Sequence, residues 1–202
     1  EYILVGGVFM QLKNLNVGLG ITGSFCNFKY VRDIIEDLKR QEVKNIIPIV
    51  SYNVKNLDTR FYKAQDFIKM LEETTENKVI DSIVKAEPIG PKNLIDVLII
   101  CPCTGNTLGK IVNAITDTPV TMAVKSHIRN HKPVVIGIST NDAMGYTFEN
   151  IGKCLNTKNF YFIPFRQDDF LAKPKSLVFD SNHLIEATMQ AMDNKQIEPI
   201  IL

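Results

Sequence analysis

The chain has 202 residues, of which 45% are hydrophobic and 22% charged, and its 23 basic and 22 acidic side chains leave a formal net charge of +1. This composition supplies enough apolar material for one folded domain and excludes wholesale disorder. The nearly neutral charge, without a basic stripe, argues against binding to nucleic acid or to an anionic membrane surface, so any charge-driven role must be local.

The first segment in chain order, residues 1–9, precedes Met10 and the regular pattern that follows it. It lacks the basic start and small-residue cleavage site of a secretory signal. No apolar run approaches the roughly 20 residues that a membrane-spanning helix needs. We interpret residues 1–9 as an extension ahead of the native start and 10–202 as the folded domain, and we expect a cytoplasmic protein.

From residue 15 onward, short apolar runs alternate with longer amphipathic stretches. This alternation predicts βαβ units in a single three-layer α/β domain, with a parallel sheet flanked by helices. The runs predict five strands, at 16–21, 46–50, 95–101, 133–138 and 160–163. Helical spacing predicts helices around 31–38 and over 61–73, 107–115, 120–130, 144–155 and 184–192. Segments 52–60 and 164–180 are polar and are expected to be irregular, and 78–92 fits neither pattern.

The cysteines and histidines do not suggest a metal site. Cys101 and Cys103 form a Cys-Pro-Cys, but no Cys-x-x-Cys pair and no histidine cluster accompanies them. Zinc and a disulfide framework are therefore not expected, and the four thiols are interpreted as buried or incidental. The three histidines fall on or directly beside predicted helices and are interpreted as surface or helix-capping residues: His127, His131 and His183.

The turn after the first predicted strand is rich in glycine and hydroxyl groups, with Gly20, Thr22, Gly23 and Ser24. Ligands of open parallel sheets bind beyond the carboxyl ends of the strands. Glycines allow close approach there, and free N–H groups at the start of a helix favour an anion such as phosphate. A dinucleotide is disfavoured, because Ser51 and no acidic residue follows the second strand. A tight turn with a serine cap explains the pattern equally well.

A second polar turn follows the third predicted strand. Thr104, Asn106 and Thr107 cluster where the next helix is expected to begin. Capping a helix needs only one such residue. The surplus of hydrogen-bonding groups favours a ligand that lies in the same crevice as the first turn.

The segment around this second turn resembles a signature, Pro-Ala-Ser-Ala-Asn-Thr-x-x-Lys-x-x-Asn, of a flavoprotein family. That family includes phosphopantothenoylcysteine decarboxylase, lantibiotic-type cysteine decarboxylases and the flavin prenyltransferase. The residues that match are Pro102, Asn106, Thr107, Lys110 and Asn113. The resemblance implies a Rossmann-like fold, assembly into homo-oligomers, and an FMN site made of Gly20, Thr22, Gly23, Ser24, Ser51, Pro102, Thr104, Asn106 and Thr107.

Further segments resemble the B-subunit family of bacterial dipicolinate synthases. They are 50–55 with 58–61, 81–88 with 90–92, 138–143 and 163–169, and the likeness extends over about 16–202. It implies a role in the mother cell of a sporulating bacterium. There the chain would act with an NADP-binding A subunit to oxidise a dihydrodipicolinate-type intermediate to dipicolinic acid. The implied partners are that A subunit and a small-molecule dicarboxylate.

Two features of the cysteine decarboxylases are missing. Residues 81–91 contain no histidine to act as their base, and 139–143 lack their Pro-x-Met-Asn-x-x-Met-Trp clamp, so cysteine decarboxylation is not expected. No residue is assigned as acid or base. Two alternatives stay open: a non-redox partner protein that only organises the A subunit or the substrate, and a flavin prenyltransferase-like enzyme.

A dicarboxylate substrate needs cations or amide donors, and arginine pairs best with a carboxylate. The residues predicted to bind it are Asn106, Lys125, Arg129 and Asn141. Solvated surface charge is the simpler interpretation of either cation taken alone.

Overall fold

The structure is a computed structural model that describes residues 12–202, so the predicted extension 1–9 and the domain start at residue 10 lie outside the described residues. The strands are β1 (Asn16–Ile21), β2 (Asn45–Val50), β3 (Val97–Cys103), β4 (Val134–Thr140), β5 (Phe160–Phe162), β6 (Phe165–Gln167) and β7 (Leu177–Phe179). They form one sheet in the order β2-β1-β3-β4-β7-β6, with β5 also beside β4. The first five strands pair in parallel.

Helices cover both faces of this sheet. They are α1 (Val31–Arg40), α2 (Tyr52–Asn56), α3 (Ala64–Thr75), α4 (Ile83–Ala86), α5 (Gly105–Val112), α6 (Pro119–Ile128), α7 (Tyr146–Leu155) and α8 (Leu184–Met192). Helices α1, α3 and α8 pack into one buried apolar cluster, and α4 to α7 pack into a second cluster. Alternate residues of β3 enter the two clusters, because successive side chains of a strand point to opposite faces. The predicted three-layer α/β fold is confirmed.

The strand order of the sheet reverses at β1. From β1 the chain crosses to β2 on one side and then returns to β3 on the other. The loops that follow these strands therefore diverge and leave a crevice at the carboxyl ends of β1 and β3, where ligands of such sheets bind.

Two parts of the chain differ from the sequence-based expectation. Segment 164–180 is not wholly irregular, because β6 and β7 pair antiparallel there and β7 adds to the end of β4 at Ser139 and Thr140. Segment 52–60 contains α2, and the ambiguous segment 78–92 contains α4 and a short 3-10 helix. Each of these elements has five residues or fewer, which is too short for hydrophobic periodicity to reveal.

The chain covers its own sheet edges. On the outer side of β2, the backbone N–H of Ile80 donates to Pro48 O at 2.8 Å, and Val50 N–H donates to Ile80 O at 3.0 Å. Beside β5, the side-chain amide of Gln196 pairs with both backbone groups of Phe162, at 2.8 Å each. The outer sides of β2 and β5 thus have hydrogen-bonding partners from within the chain.

The interpretation of His127 as a surface or capping residue is wrong. Its side chain is 1% exposed within α6, and Nε2 lies 3.0 Å from the carbonyl oxygen of Pro133. Burial lowers the pKa of His127 to about 4. Cys101, Cys103 and Cys154 are buried thiols, and Cys26 is exposed. Within residues 12–202, no helix is both long and apolar enough to cross a membrane.

Candidate ligand site

Two adjoining hollows lie beyond the carboxyl ends of the parallel strands. Hollow 1, of about 280 Å³, has walls that include Ser51, Asn53, Asn106, Thr107 and Lys110. Hollow 2, of about 360 Å³, has walls that include Ser24, Asn27, Ser139, Asn141 and Asp142. Gly23 and Thr104 line both hollows. The two polar turns singled out in the sequence therefore meet in one divided crevice.

The structure brings six of the predicted FMN-site residues to the walls of this crevice: Gly23, Ser24, Ser51, Thr104, Asn106 and Thr107. The other three lie behind the walls. Gly20 is buried in β1, where a Cβ would stand 3.3 Å from Val120. Pro102 is buried in β3, and Thr22 is 1% exposed.

Thr22 connects the two turns. Its hydroxyl donates to Pro102 O at 2.9 Å and accepts from the backbone N–H of Thr104 at 2.9 Å. Its own backbone N–H donates to the same carbonyl oxygen at 3.2 Å. The Thr22 hydroxyl is thus fully used inside the protein and holds Thr104 in place between the hollows.

Ser51 carries an unpaired buried hydroxyl in the wall of hollow 1. The residue is 8% exposed, and its Oγ has no hydrogen-bond partner among the described residues. Leaving a buried polar group unpaired costs about 1–3 kcal/mol. A ligand in hollow 1 that offers a hydrogen-bonding atom would remove this cost.

Helix α5 begins at the boundary of the two hollows. Thr104 caps it, because its Oγ1 accepts from the backbone N–H of Thr107 at 3.2 Å and donates to Thr107 Oγ1 at 3.0 Å. The exposed side chain of Asn106 follows at the wall of hollow 1. The start of a helix carries partial positive charge and favours an anion.

The loop after β4 packs closely against this helix start. Asp142 accepts hydrogen bonds from Thr140 and from Thr147, the latter at 3.0 Å to both carboxylate oxygens. A Cβ at Gly105 would lie 2.5 Å from Thr147 Oγ1 and 2.9 Å from Asp142 Oδ1. Only glycine at position 105 leaves room for this arrangement.

Hollow 2 contains a hydrogen-bond network that the sequence analysis missed. Ser24 Oγ and Ser139 Oγ are 2.7 Å apart, and Nδ2 of Asn27 donates to both of them, at 3.4 Å to Ser24. Ser139 directly follows the apolar run of the fourth predicted strand, which was an available signal. Asn27 gave no comparable signal, because its contact with Ser139 joins residues 112 positions apart.

The charges differ between the two hollows. In hollow 1, Lys110 Nζ lies 2.8 Å from the carboxylate of Asp117, so the walls hold a balanced pair. Hollow 2 is lined by the carboxylates of Asp142 and Asp168, of which Asp168 pairs with Lys173 at 2.7 Å. An anionic group is better accommodated in hollow 1, next to the start of α5.

The predicted substrate residues do not lie together. Asn106 lines hollow 1, and Asn141 lines hollow 2. Lys125 and Arg129 are exposed on the later turns of α6, and neither lines a hollow. Arg129 lies at the end of α6 beside Gly90, roughly 15 Å from the start of that ten-residue helix. Within one chain, these two cations are separate from the crevice.

Comparison with known proteins supports a family assignment. The model of a family described as Flavoprotein matches residues 9–179. The B subunit of dipicolinate synthase from Bacillus subtilis (strain 168) is 44% identical over 192 residues, which cover 95% of this chain and 96% of that protein.

Solved structures agree with this assignment. The crystal structure of the B subunit of dipicolinate synthase from Bacillus halodurans is 42% identical, covers 96% of this chain and 98% of its own, and superposes with a TM-score of 0.86. The FMN-dependent cysteine decarboxylase SpaF shares the fold at 19% identity and a TM-score of 0.68, over 90% and 99% of the two chains. The chain belongs to the flavoprotein family and, within it, to the family of dipicolinate synthase B subunits.

Proposed function

We propose that this chain works as the B subunit of a dipicolinate synthase and holds FMN across the two hollows. The single observation that carries the flavin site is the unpaired, buried Oγ of Ser51 in the wall of hollow 1. The solved relative SpaF is named as FMN-dependent, which supports the same cofactor here. The mother cell of a sporulating bacterium is the setting that this role implies.

The phosphate of FMN is assigned to hollow 1. Ser51 Oγ offers a free hydroxyl there, and the start of α5 offers the partial positive charge that stabilises phosphate. Asn53 and Thr107 add polar groups to the same wall. The charge pair of Lys110 and Asp117 closes the hollow without adding net charge.

The ring end of the cofactor is assigned to hollow 2. Its walls present neutral hydroxyl and amide groups from Ser24, Asn27, Ser139 and Asn141. Bound FMN would supply a two-electron acceptor for the hydride that a dihydrodipicolinate-type ring loses as it becomes aromatic. We infer that the amide of Asn106 orients a dicarboxylate at the rim of hollow 1, whereas Asn141 lines hollow 2 beside the ring end. The protein's own task is to hold both molecules in register.

The proposed complex includes further chains. An A subunit that binds NADP, and further copies of this chain, follow from the B-subunit role and belong to this proposal. The cations Lys125 and Arg129 lie outside the crevice of one chain, so a contribution to substrate binding would have to be made to a neighbouring chain.

The flavin site is tested by titrating FMN and riboflavin, which lacks the phosphate, into the chain and into Ser51→Ala. We expect Ser51→Ala to weaken FMN binding by about three- to tenfold and to leave riboflavin binding unchanged. Stability without ligand should not fall, because the lost hydroxyl has no partner. Ser181→Ala, in the 3-10 helix before α8, is the matched control and should bind FMN normally.

One other function keeps a specific observation in its favour. Neither hollow has a histidine in its walls within the described residues, as a non-redox partner protein would allow. If the chain takes up no FMN at tens of micromolar, yet raises dipicolinate formation by the A subunit, the partner role replaces the flavin role. An Asn106→Ala variant with full stimulating activity would point the same way.

A further inference from the structure

Ser24 and Ser139 in hollow 2 have two hydroxyl protons, and one of them has no hydrogen-bond acceptor among the described residues. Each of Ser24 and Ser139 has one hydroxyl proton, and the two oxygens are 2.7 Å apart. Only one of those protons can lie between the oxygens. Within the part of the chain that the structure describes, no second acceptor takes the other proton.

Asn27 fixes this arrangement. It is 9% exposed, and its Nδ2 donates to both hydroxyl oxygens. An amide NH2 group has two protons and cannot accept, so it occupies one lone pair on each oxygen. Whichever serine donates to the other, the remaining hydroxyl proton has no place inside the network. The three side chains together therefore present one O–H donor to hollow 2.

The charged side chains near this O–H donor determine which kind of ligand atom can accept its hydrogen bond. The carboxylates of Asp142 and Asp168 line the same hollow. A ligand carboxylate or phosphate at this point would be repelled by them. A neutral acceptor, such as a carbonyl oxygen or an unprotonated ring nitrogen, would take the hydrogen bond without that cost.

We propose that Asn27 is a positioning residue that makes the Ser24–Ser139 pair a single hydrogen-bond donor to a neutral acceptor on the ring of the bound ligand. This inference rests on the proposed flavin role, because a flavin ring carries carbonyl oxygens and unprotonated ring nitrogens. Asn27 acts through the two serines.

The test uses Asn27→Asp, which is nearly isosteric but turns the amide donor into an acceptor. The new carboxylate would accept both hydroxyl protons and leave none for the ligand. Riboflavin is the probe, because it reports on the ring without the phosphate. We expect Asn27→Asp to weaken riboflavin and FMN by the same factor, about tenfold, and to shift the visible absorption band of the bound flavin. Asn156→Asp, at the exposed end of α7, adds the same charge and should change neither quantity.

A serine series makes the test independent of the folding of Asn27→Asp. Either Ser24→Ala or Ser139→Ala alone leaves one hydroxyl proton free, so each should keep riboflavin affinity within about twofold. The double variant removes the donor and should lose about tenfold. A purely structural role would lower stability without moving the absorption band.

The possible failures are separable. Riboflavin binding to folded Asn27→Asp with unchanged affinity and band position would overturn the role of Asn27. Additive losses in the serine series would overturn the single-donor arrangement. If the unsubstituted chain binds neither FMN nor riboflavin, the flavin proposal itself fails, and this inference with it.

Discussion

A single hydroxyl group, that of Thr22, supports both walls of the divided crevice. It is buried and bonded to Pro102 O and to the N–H of Thr104, each at 2.9 Å. The sequence indicated a residue that contacts the ligand at this position. The structure shows that the hydroxyl acts one layer further in, where it joins the turn after β1 to the turn after β3.

We expect Thr22→Val to lower the free energy of unfolding by about 1–3 kcal/mol. Valine has nearly the shape of threonine but leaves the N–H of Thr104 without its acceptor and Pro102 O with only the backbone N–H of residue 22. Thr22→Ser keeps the hydroxyl and should lose clearly less. Urea unfolding of the three proteins measures the difference, and equal losses for valine and serine would assign the effect to packing instead.

The site residues that could be predicted are those that follow strands directly. Ser24, Ser51 and Thr104 stand just beyond apolar runs, and a parallel sheet brings such positions to one edge. Asn27 and Asp142 could not be assigned from the sequence. Their roles depend on contacts between the 3-10 helix Phe25–Tyr30, the end of β4 and the start of α5, which no local pattern encodes.

At the scale of elements, the contact between α6 and the turn that follows α4 is unusually close. Ser126 Oγ donates to Glu87 O at 2.8 Å, and Asn130 Nδ2 donates to Gly90 O at 2.8 Å. A Cβ at Gly90 would stand 2.1 Å from the backbone carbonyl oxygen of Ser126. The glycine lets the turn and the helix approach backbone to backbone.

We expect Gly90→Ala to lower the free energy of unfolding by at least about 1–3 kcal/mol, because the helix must move away to admit the methyl group. Gly152→Ala is the matched control within α7, where an added Cβ meets no atom within 4 Å. That control should raise stability by roughly 0.5–1 kcal/mol through helix propensity. Chemical denaturation measures the free energy of unfolding of both variants. A Gly90→Ala variant as stable as the unsubstituted chain would contradict the close approach.

Elements were predictable where their hydrophobic pattern was long. The apolar runs gave the first five strands, and α8 matches its predicted range of 184–192. The start of α5 at Gly105 lies two residues before its predicted start, because the cap at Thr104 precedes the first apolar position. Strands β6 and β7 have three residues each, and β7 is held by pairing to β4 and β6 by pairing to β7, so their own sequence could not reveal them.

At the scale of the whole molecule, a polar cluster lies at the end of the sheet opposite the crevice. Lys132 Nζ binds Asp96 at 2.9 Å and Ile95 O at 2.8 Å. Burial alone would raise the pKa of Asp96, but hydrogen bonds from the Asn16 N–H and from Lys132 together lower it. His127 lies nearby, and burial lowers its pKa to about 4, with a smaller effect in the same direction from Lys132.

Global stability should therefore depend on pH through His127. Between pH 6.5 and about 4 the unfolded chain binds a proton that folded His127 excludes, so the free energy of unfolding falls as the pH decreases. The total loss is about 3 kcal/mol. His127→Gln should remove this slope in urea unfolding series between pH 5.5 and 7, above the range in which the lowered pKa values of Glu42, Glu72 and Glu149 act. Because the pKa of Asp96 is lowered from its ordinary value of 3.8, its effect on the free energy of unfolding falls below that window. A slope that survives His127→Gln would contradict the assignment.

The pairing of Ile80 with β2 and of Gln196 with β5 limits how copies of this chain can meet. A strand from another molecule would find Pro48 O, the N–H of Val50 and both main-chain groups of Phe162 already engaged. Growth of one continuous ladder across molecules, the route by which open edges aggregate, is closed at these two places. Any assembly that uses these two places must instead rely on side-chain contacts.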